Sequence, residues 1–390
     1  MDVQAATDVW LARLPAPERL AAQAATDAQA VGWIAGALVF VIAAALVARL
    51  GLLGALRRRI EADRPRRWLA DAAAGASLAT ILALANAWAG GIAAWRVDAI
   101  RAAGGGLPPA EGLVAHLSSA MAGVPATIAA AVIIAPPLLW LMRRRRRSWP
   151  AIVGSAVLVL ILAFGWLPYA VSAGASTALA PPSPARDAVA RLADDAQAGP
   201  VRLSTDPSFD ADVTGGFGHA TVTLGPLMAA GPRAEASAYV GHLMGHYVHN
   251  DVLVVCLVVA AVVIAGLFAA QAFAAPLARA LGDRRERTLA KLEVLPALAI
   301  IGAITVAGAG LAGAAYLRWA NVRADAYSLD SAGEPDGLAA VIERKWDHEA
   351  VAPSPLETAL FYSHPPLKDR IAHAMAWKTA HAGGIPVREP

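Results

Sequence analysis

Six stretches of this chain run free of Asp, Glu, Lys and Arg for about 20 residues or more, the length a helix needs to cross a hydrocarbon layer. They are Ala28 to Ala48, Ala72 to Trp95, Gly112 to Met142, the apolar part of Ser148 to Gly174, Val252 to Ala278, and Val294 to Leu317. The pattern predicts six transmembrane helices. The third is long enough to tilt, or to bend at Pro136-Pro137, and Trp68, Trp95, Trp140 and Trp149 fall near segment ends, as interfacial anchors do. The first 27 residues mix Asp2, Asp8, Glu18 and Asp27 with Arg13 and Arg19 and have no short apolar core, which argues against a cleaved signal peptide.

Two larger polar regions interrupt this pattern, 175–251 and 318–390. In the first, Pro181-Pro182-Ser183-Pro184 reads as a linker, and Ala185 to Ala198 has helical spacing of Val189, Leu192 and Ala193. A strand-like Val201-Arg-Leu follows, then glycines at Gly215, Gly216 and Gly218, then the alternating run Ala220, Thr221, Val222, Thr223, Leu224. The glycines are followed by a strand and by no Lys-Ser/Thr pair, so a hairpin turn is expected rather than a phosphate loop. Pro232 then opens a helix running through Tyr239 to His249 towards the fifth span.

Composition narrows the function classes. Charged residues are 16% of the chain, where globular proteins run near ~25%, and the net charge is only +3. Nucleic acid is excluded as an expected partner; the lipid bilayer is the first one. A single cysteine, Cys256, rules out disulfides and Cys-based zinc sites and is expected to serve packing.

The basic residues set the orientation. Seventeen of the 33 Lys and Arg lie in three short loops that alternate with the spans: Arg49, Arg57, Arg58, Arg59, Arg64, Arg66 and Arg67; Arg143 to Arg147; and Arg279, Arg284, Arg285, Arg287 and Lys291. Such loops stay cytoplasmic, which puts both polar regions and both termini on the other face. The expected location is a bacterial inner membrane with the polar regions on the periplasmic side, and Arg143 to Arg147 read as a stop-transfer flank.

Candidate chemistry centres on His242 and His246. Four apart on a helix, their rings leave one face about 6 Å apart along the axis and can reach one metal ion. His249 is about 10 Å from His242 along the axis, too far to share that ion, and reads as a polar residue at the membrane boundary. His116, in the third span, faces either a watery interior or the interface.

The runs Gly241-His-Leu-Met-Gly-His-Tyr247, Arg318-Trp-Ala-Asn-Val-Arg-Ala-Asp-Ala326 and Tyr362-Ser-His-Pro-Pro-Leu-Lys-Asp-Arg370 resemble, in order and spacing, three signature blocks of integral-membrane zinc metallopeptidases typified by the type I CAAX prenyl endopeptidase. The resemblance covers about Pro182 to Ala374. It implies a split zincin-like (minigluzincin) α+β domain, which together with the six apolar stretches gives a mainly α, polytopic membrane protein with about six transmembrane helices. The expected division is 1–27 as an N-terminal segment, 28–175 as four spans, 176–251 as the first part of the zincin-like domain, 252–317 as spans five and six, and 318–390 as its second part.

The resemblance further implies metal positions at His242, His246 and Asn321, with Asp325 orienting a ligand histidine or, without a metal, acting as a structural partner of His242 or His246. It implies substrate or oxyanion contacts at His364 and Arg370, for which a helix-capping turn is the structural alternative. It also implies that Ala220 to Leu224 form an active-site edge strand to which a peptide adds. Two departures matter. The general base of the family's His-Glu-x-x-His is replaced by Leu243, and its glutamate ligand by Asn321, which brings no charge. Glu235 and Asp251 flank the histidines, but neither falls at the base position. The expected cofactor is therefore zinc held weakly or not at all. Three readings stay open: an inactive or impaired peptidase homologue that binds a peptide, a lipidated protein or a membrane partner; an active metallopeptidase with rearranged ligands; and an unrelated transporter or scaffold.

Overall fold

A computed structural model describes residues 2–63, 67–105, 107–108, 111–171, 178–216, 219–281 and 292–382. Arg64, Arg66, Arg284, Arg285, Arg287 and Lys291 of the basic loops, and Phe217 and Gly218 of the glycine turn, lie outside the described residues. The chain is a mainly helical polytopic protein, with six helices among the described residues long and apolar enough to cross a membrane.

In chain order the elements begin with α1 (Val3–Leu11), α2 (Ala16–Arg49), α3 (Leu52–Asp63), α4 (Arg67–Ala103), α5 (Leu113–Ala122), α6 (Val124–Arg144) and α7 (Trp149–Ile161). A π-helical turn over Leu162–Trp166 joins α7 to α8 (Leu167–Val171). Then come β1 (Ala178–Leu179), α9 (Pro184–Asp195), β2 (Val201–Leu203), β3 (Ala211–Gly216), β4 (His219–Leu224), α10 (Pro226–Ala230) and α11 (Arg233–Val248). The chain continues through α12 (Asp251–Ala280), α13 (Leu295–Ala332), α14 (Pro335–Arg344), α15 (Pro355–Phe361) and α16 (Leu367–Ala380).

The third apolar stretch does not break at its prolines. The interruption is at Gly123, between α5 and α6, and α6 runs on through Pro136 and Pro137. Pro125 follows immediately, where a first-turn N–H has no helical partner to lose. Cys256 packs beside the π-helical turn: a Cβ added at Gly165 would lie 3.0 Å from its Sγ.

The chain divides into two compact units. One comprises Ala24–Val157 and Ala260–Gly310. Its core contains Leu139, Met142, Trp149, Ala274, Leu292 and Val294. Within it Asp71, 3% exposed, takes both guanidinium ends of Arg143 at 2.5 and 2.6 Å. One arginine of the flank thus also ties α6 to α4. Ile34, Ile133 and Ile304 are exposed on its long helices, as lipid-facing side chains are.

The other unit gathers Met1–Gln23, Leu158–Val259 and Leu311–Pro390. The N-terminal segment is structural: Trp10 and Leu11 of α1 are buried with Leu338, Ile342, Ile371 and Met375 of α14 and α16. The expected boundary at 317/318 falls inside one continuous helix, since α13 runs from Leu295 to Ala332.

The same unit holds a four-stranded sheet in the order β1-β2-β4-β3. β2 runs parallel to β4, pairing Val201 with Val222 and Leu203 with Leu224, and β3 pairs antiparallel along all of β4. The Gly199 N–H also donates to the Ala220 carbonyl at 2.8 Å. Ala220 to Leu224 therefore form an interior strand, not an edge. Both rows of backbone groups are engaged, so no peptide can add to this strand, and β3 takes the edge position.

Candidate functional site

α11 is built to lie close against α13. Its Ala236, Val240 and Met244 are buried in the core under the sheet, while Gly241 and Gly245 face the partner helix. A Cβ on Gly245 would stand 2.8 Å from Ala324 Cα, and one on Gly241 3.2 Å from Ser328 Cα. Ser328 Oγ completes the contact by donating to the Ala238 carbonyl at 2.7 Å. This approach puts His242 opposite Asp325.

His242 and Asp325 are both buried, and His242 Nδ1 meets Asp325 Oδ1 at 2.7 Å. Arg370 of α16 grips the same carboxylate with Nε and Nη2, each at 2.7 Å. A doubly held carboxylate accepts only, so the His242 proton sits on Nδ1. Burial holds the His242 imidazole below the ordinary histidine range, against the opposing pull of Asp325.

His246 is held in the same manner by a residue beyond the helix. α11 ends at Val248, and Asn250 takes a left-handed conformation (φ 55°) that separates it from α12. Asparagine tolerates that region better than most residues. Asp251 at the start of α12 turns back to His246 Nδ1 at 2.8 Å. Asp251, 2% exposed, also accepts from Tyr316 Oη at 2.6 Å and from Arg323 Nη2.

With both Nδ1 atoms occupied, the Nε2 atoms of His242 and His246 face each other at 3.2 Å. Two nitrogens on one tetrahedral ion with bonds of about 2.0–2.1 Å would lie about 3.4 Å apart. These two donors fit a metal. The rest of the set does not: among the described residues no group of three or more His, Cys, Asp or Glu is placed to hold one. Asn321, one turn before Asp325 on α13, spends its Nδ2 on the Leu317 carbonyl at 2.8 Å and reaches the Ser363 carbonyl at 3.4 Å. It ties α13 to the turn before α16.

The Nε2 face opens on a cavity of about 290 Å³ whose lining includes His242, Leu243, His246, Glu349, His364 and Arg370. Leu243 packs from this wall against the core under the sheet. His364 is brought to the cavity, with Nε2 3.3 Å from Glu349 Oε2. Arg370 also lines it, with two of its nitrogens committed to Asp325. Asn321 and the Ala220 to Leu224 strand are not among the lining residues.

Sequence reasoning did not find Glu349 or Asp347, which also lines the cavity, nor the role of Asp251. Asp251 carried a signal, five residues after His246 and next to an Asn that ends helices. Glu349 carried none. Glu235 is paired with Arg344, and His249 Nδ1 meets the Gly245 carbonyl at 2.6 Å, so neither flanking group reaches the cavity.

Residues 187–378, just under half of the chain, match the model of peptidase family M48. The matched segment begins in α9 and ends in α16, and so includes α11, Asp325 and Arg370. It supports a metallopeptidase family and suggests a metallopeptidase-type function for that region. No curated protein matches the chain.

Proposed function

We propose that this chain is a membrane-embedded homologue of zinc metalloendopeptidases of the CAAX prenyl protease type, in which hydrolysis is lost or impaired and the cavity binds a peptide, a lipidated protein or a membrane-protein partner. The observation that carries this reading is Leu243, set in the cavity wall between two histidines that remain fully oriented.

Peptide hydrolysis needs a base to take a proton from water, worth roughly 10²–10⁴ in rate. Leucine cannot take a proton, and it fills the position directly after His242 where the family's base would stand. Asn321 supplies no negative charge for a dication, so a metal would be held by two neutral imidazoles. Binding needs none of this. The apolar Leu338, Val341 and Ile342 with Tyr239, Lys345 and His364 give the cavity both hydrophobic wall and hydrogen-bonding groups, the mixture expected of a binding site.

Metal analysis of the full chain, purified without added zinc, tests the reading. Substoichiometric metal is expected. One tightly held zinc per chain would favour a second reading, an active metallopeptidase with rearranged ligands, which the 3.2 Å approach of the Nε2 atoms and the cavity carboxylates Asp347 and Glu349 support. By the basic loops, the cavity-bearing unit belongs on the non-cytoplasmic face.

A further inference from the structure

The membrane unit formed by Ala24–Val157 and Ala260–Gly310 contains a cavity of about 470 Å³ between α2 and α4 that the peptidase-type site does not use. The two ends of this cavity differ. Gln29, Asp98 and Arg101 form one end. Towards the other, the wall falls away at Gly36 and Gly90, where an added Cβ would meet no heavy atom within 4 Å. Asn86, also in the lining, lies about 22 Å along α4 from Arg101.

The charges are not neutralised within the cavity. Arg101 Nε is buried without a hydrogen-bond partner among the described residues. Asp98, the one carboxylate of the lining, is turned with Oδ2 to His116 Nε2 at 2.8 Å and keeps its side chain half exposed. His116 thus pairs with an acid at the end of α4. A guanidinium N–H left buried without an acceptor is costly, so this end of the cavity lacks an acceptor that a ligand can supply. A cation at the mouth of an apolar slot calls for an anion carrying a hydrocarbon chain.

We propose that this cavity is a phospholipid site. The phosphate accepts from the Arg101 guanidinium as a charge-assisted hydrogen bond, a cationic head group lies over Asp98, and one acyl chain follows the slot past Gly36 and Gly90. The site is independent of the peptidase-type cavity.

The test uses the full chain, purified and delipidated in detergent, with retained adducts read by native mass spectrometry. The probes are phosphatidylethanolamine, the water-soluble glycerophosphoethanolamine that shares its head, inorganic phosphate and diacylglycerol. The wild type is expected to retain phosphatidylethanolamine and none of the other three. Arg101→Gln should weaken that retention by at least about tenfold, as loss of one charge-assisted contact does. Gly90→Leu, which places a side chain in open space, should weaken it similarly with Arg101 intact; if Arg101→Gln fails to fold, this variant decides alone. Equal retention by wild type and Gly90→Leu would overturn the proposal. So would equal binding of diacylglycerol, which removes the role of Arg101, or of phosphate or glycerophosphoethanolamine, which removes the role of the slot.

Discussion

The Nε2 atoms of His242 and His246 stand 3.2 Å apart, with each ring held from behind by a buried carboxylate, Asp325 for the first and Asp251 for the second. Two lone pairs brought together this closely repel unless a proton or a metal lies between them. The packing of α11 on α13 and the return of Asp251 impose the approach. The donors are positioned as for a metal site, while the charged third donor and the base beside it are missing.

Repair of those two positions separates a disarmed site from a rebuilt one. Asn321→Glu is expected to raise zinc affinity by at least about tenfold by supplying a charged ligand, though it gives up the amide bonds to Leu317 and Ser363. Leu243→Glu alone is expected to lower stability by roughly 1–3 kcal/mol, since a carboxylate replaces an apolar group packed on the core. Only the double variant should hydrolyse peptide measurably, a non-additive outcome typical of groups that act as one unit. Zinc titration and a peptide assay on the three variants check this. No gain in zinc affinity with Asn321→Glu would mean that position 321 no longer faces the histidines.

Asp251→Asn should destabilise the protein by roughly 2–4 kcal/mol, because Arg323 loses its counter-charge and a donor NH2 replaces one of the two oxygens that Tyr316, Arg323 and His246 share. A chemical-denaturation midpoint indistinguishable from wild type would show that this carboxylate does not hold the end of α11.

Asp212, on β3, has its pKa raised by burial, against a weaker opposing effect of the Val213 N–H. Its folded value lies above its unfolded one, so its contribution to stability is present below the ordinary carboxylate range and lost as pH rises through the raised value. Asp212→Asn should therefore melt above wild type at neutral pH, with the gap closing as pH falls through the carboxylate range. A gap that widens on acidification would reverse the sign.

Reporter fusions after Arg147, Pro200 and Pro390 read the orientation. The first is expected to report the cytoplasm and the other two the opposite face. A cytoplasmic signal at Pro200 or Pro390 would overturn the assignment.

The six spans were legible because lipid demands an unbroken apolar run, and hydropathy records that directly. His242 and His246 were legible from their spacing, and Asp325 from the resemblance of the block that carries it. What was hidden depends on pairings distant in the chain. Nothing in Ala220 to Leu224 announces that β2 covers its second edge, and nothing in Trp10 announces α14 and α16. The break at Gly123 was masked by two more conspicuous prolines, which a membrane helix tolerates when neighbouring groups satisfy the freed carbonyls.

The most direct measurement is the hydrolysis rate of peptide and prenyl-peptide substrates by the full chain with zinc supplied, set against His246→Ala. The two rates should be indistinguishable, since Leu243 leaves water without a base and Asn321 leaves a metal without a charged ligand. Metal-dependent turnover by the wild type that His246→Ala abolishes would contradict the loss of hydrolysis and direct attention to Glu349 and Asp347 in the cavity wall.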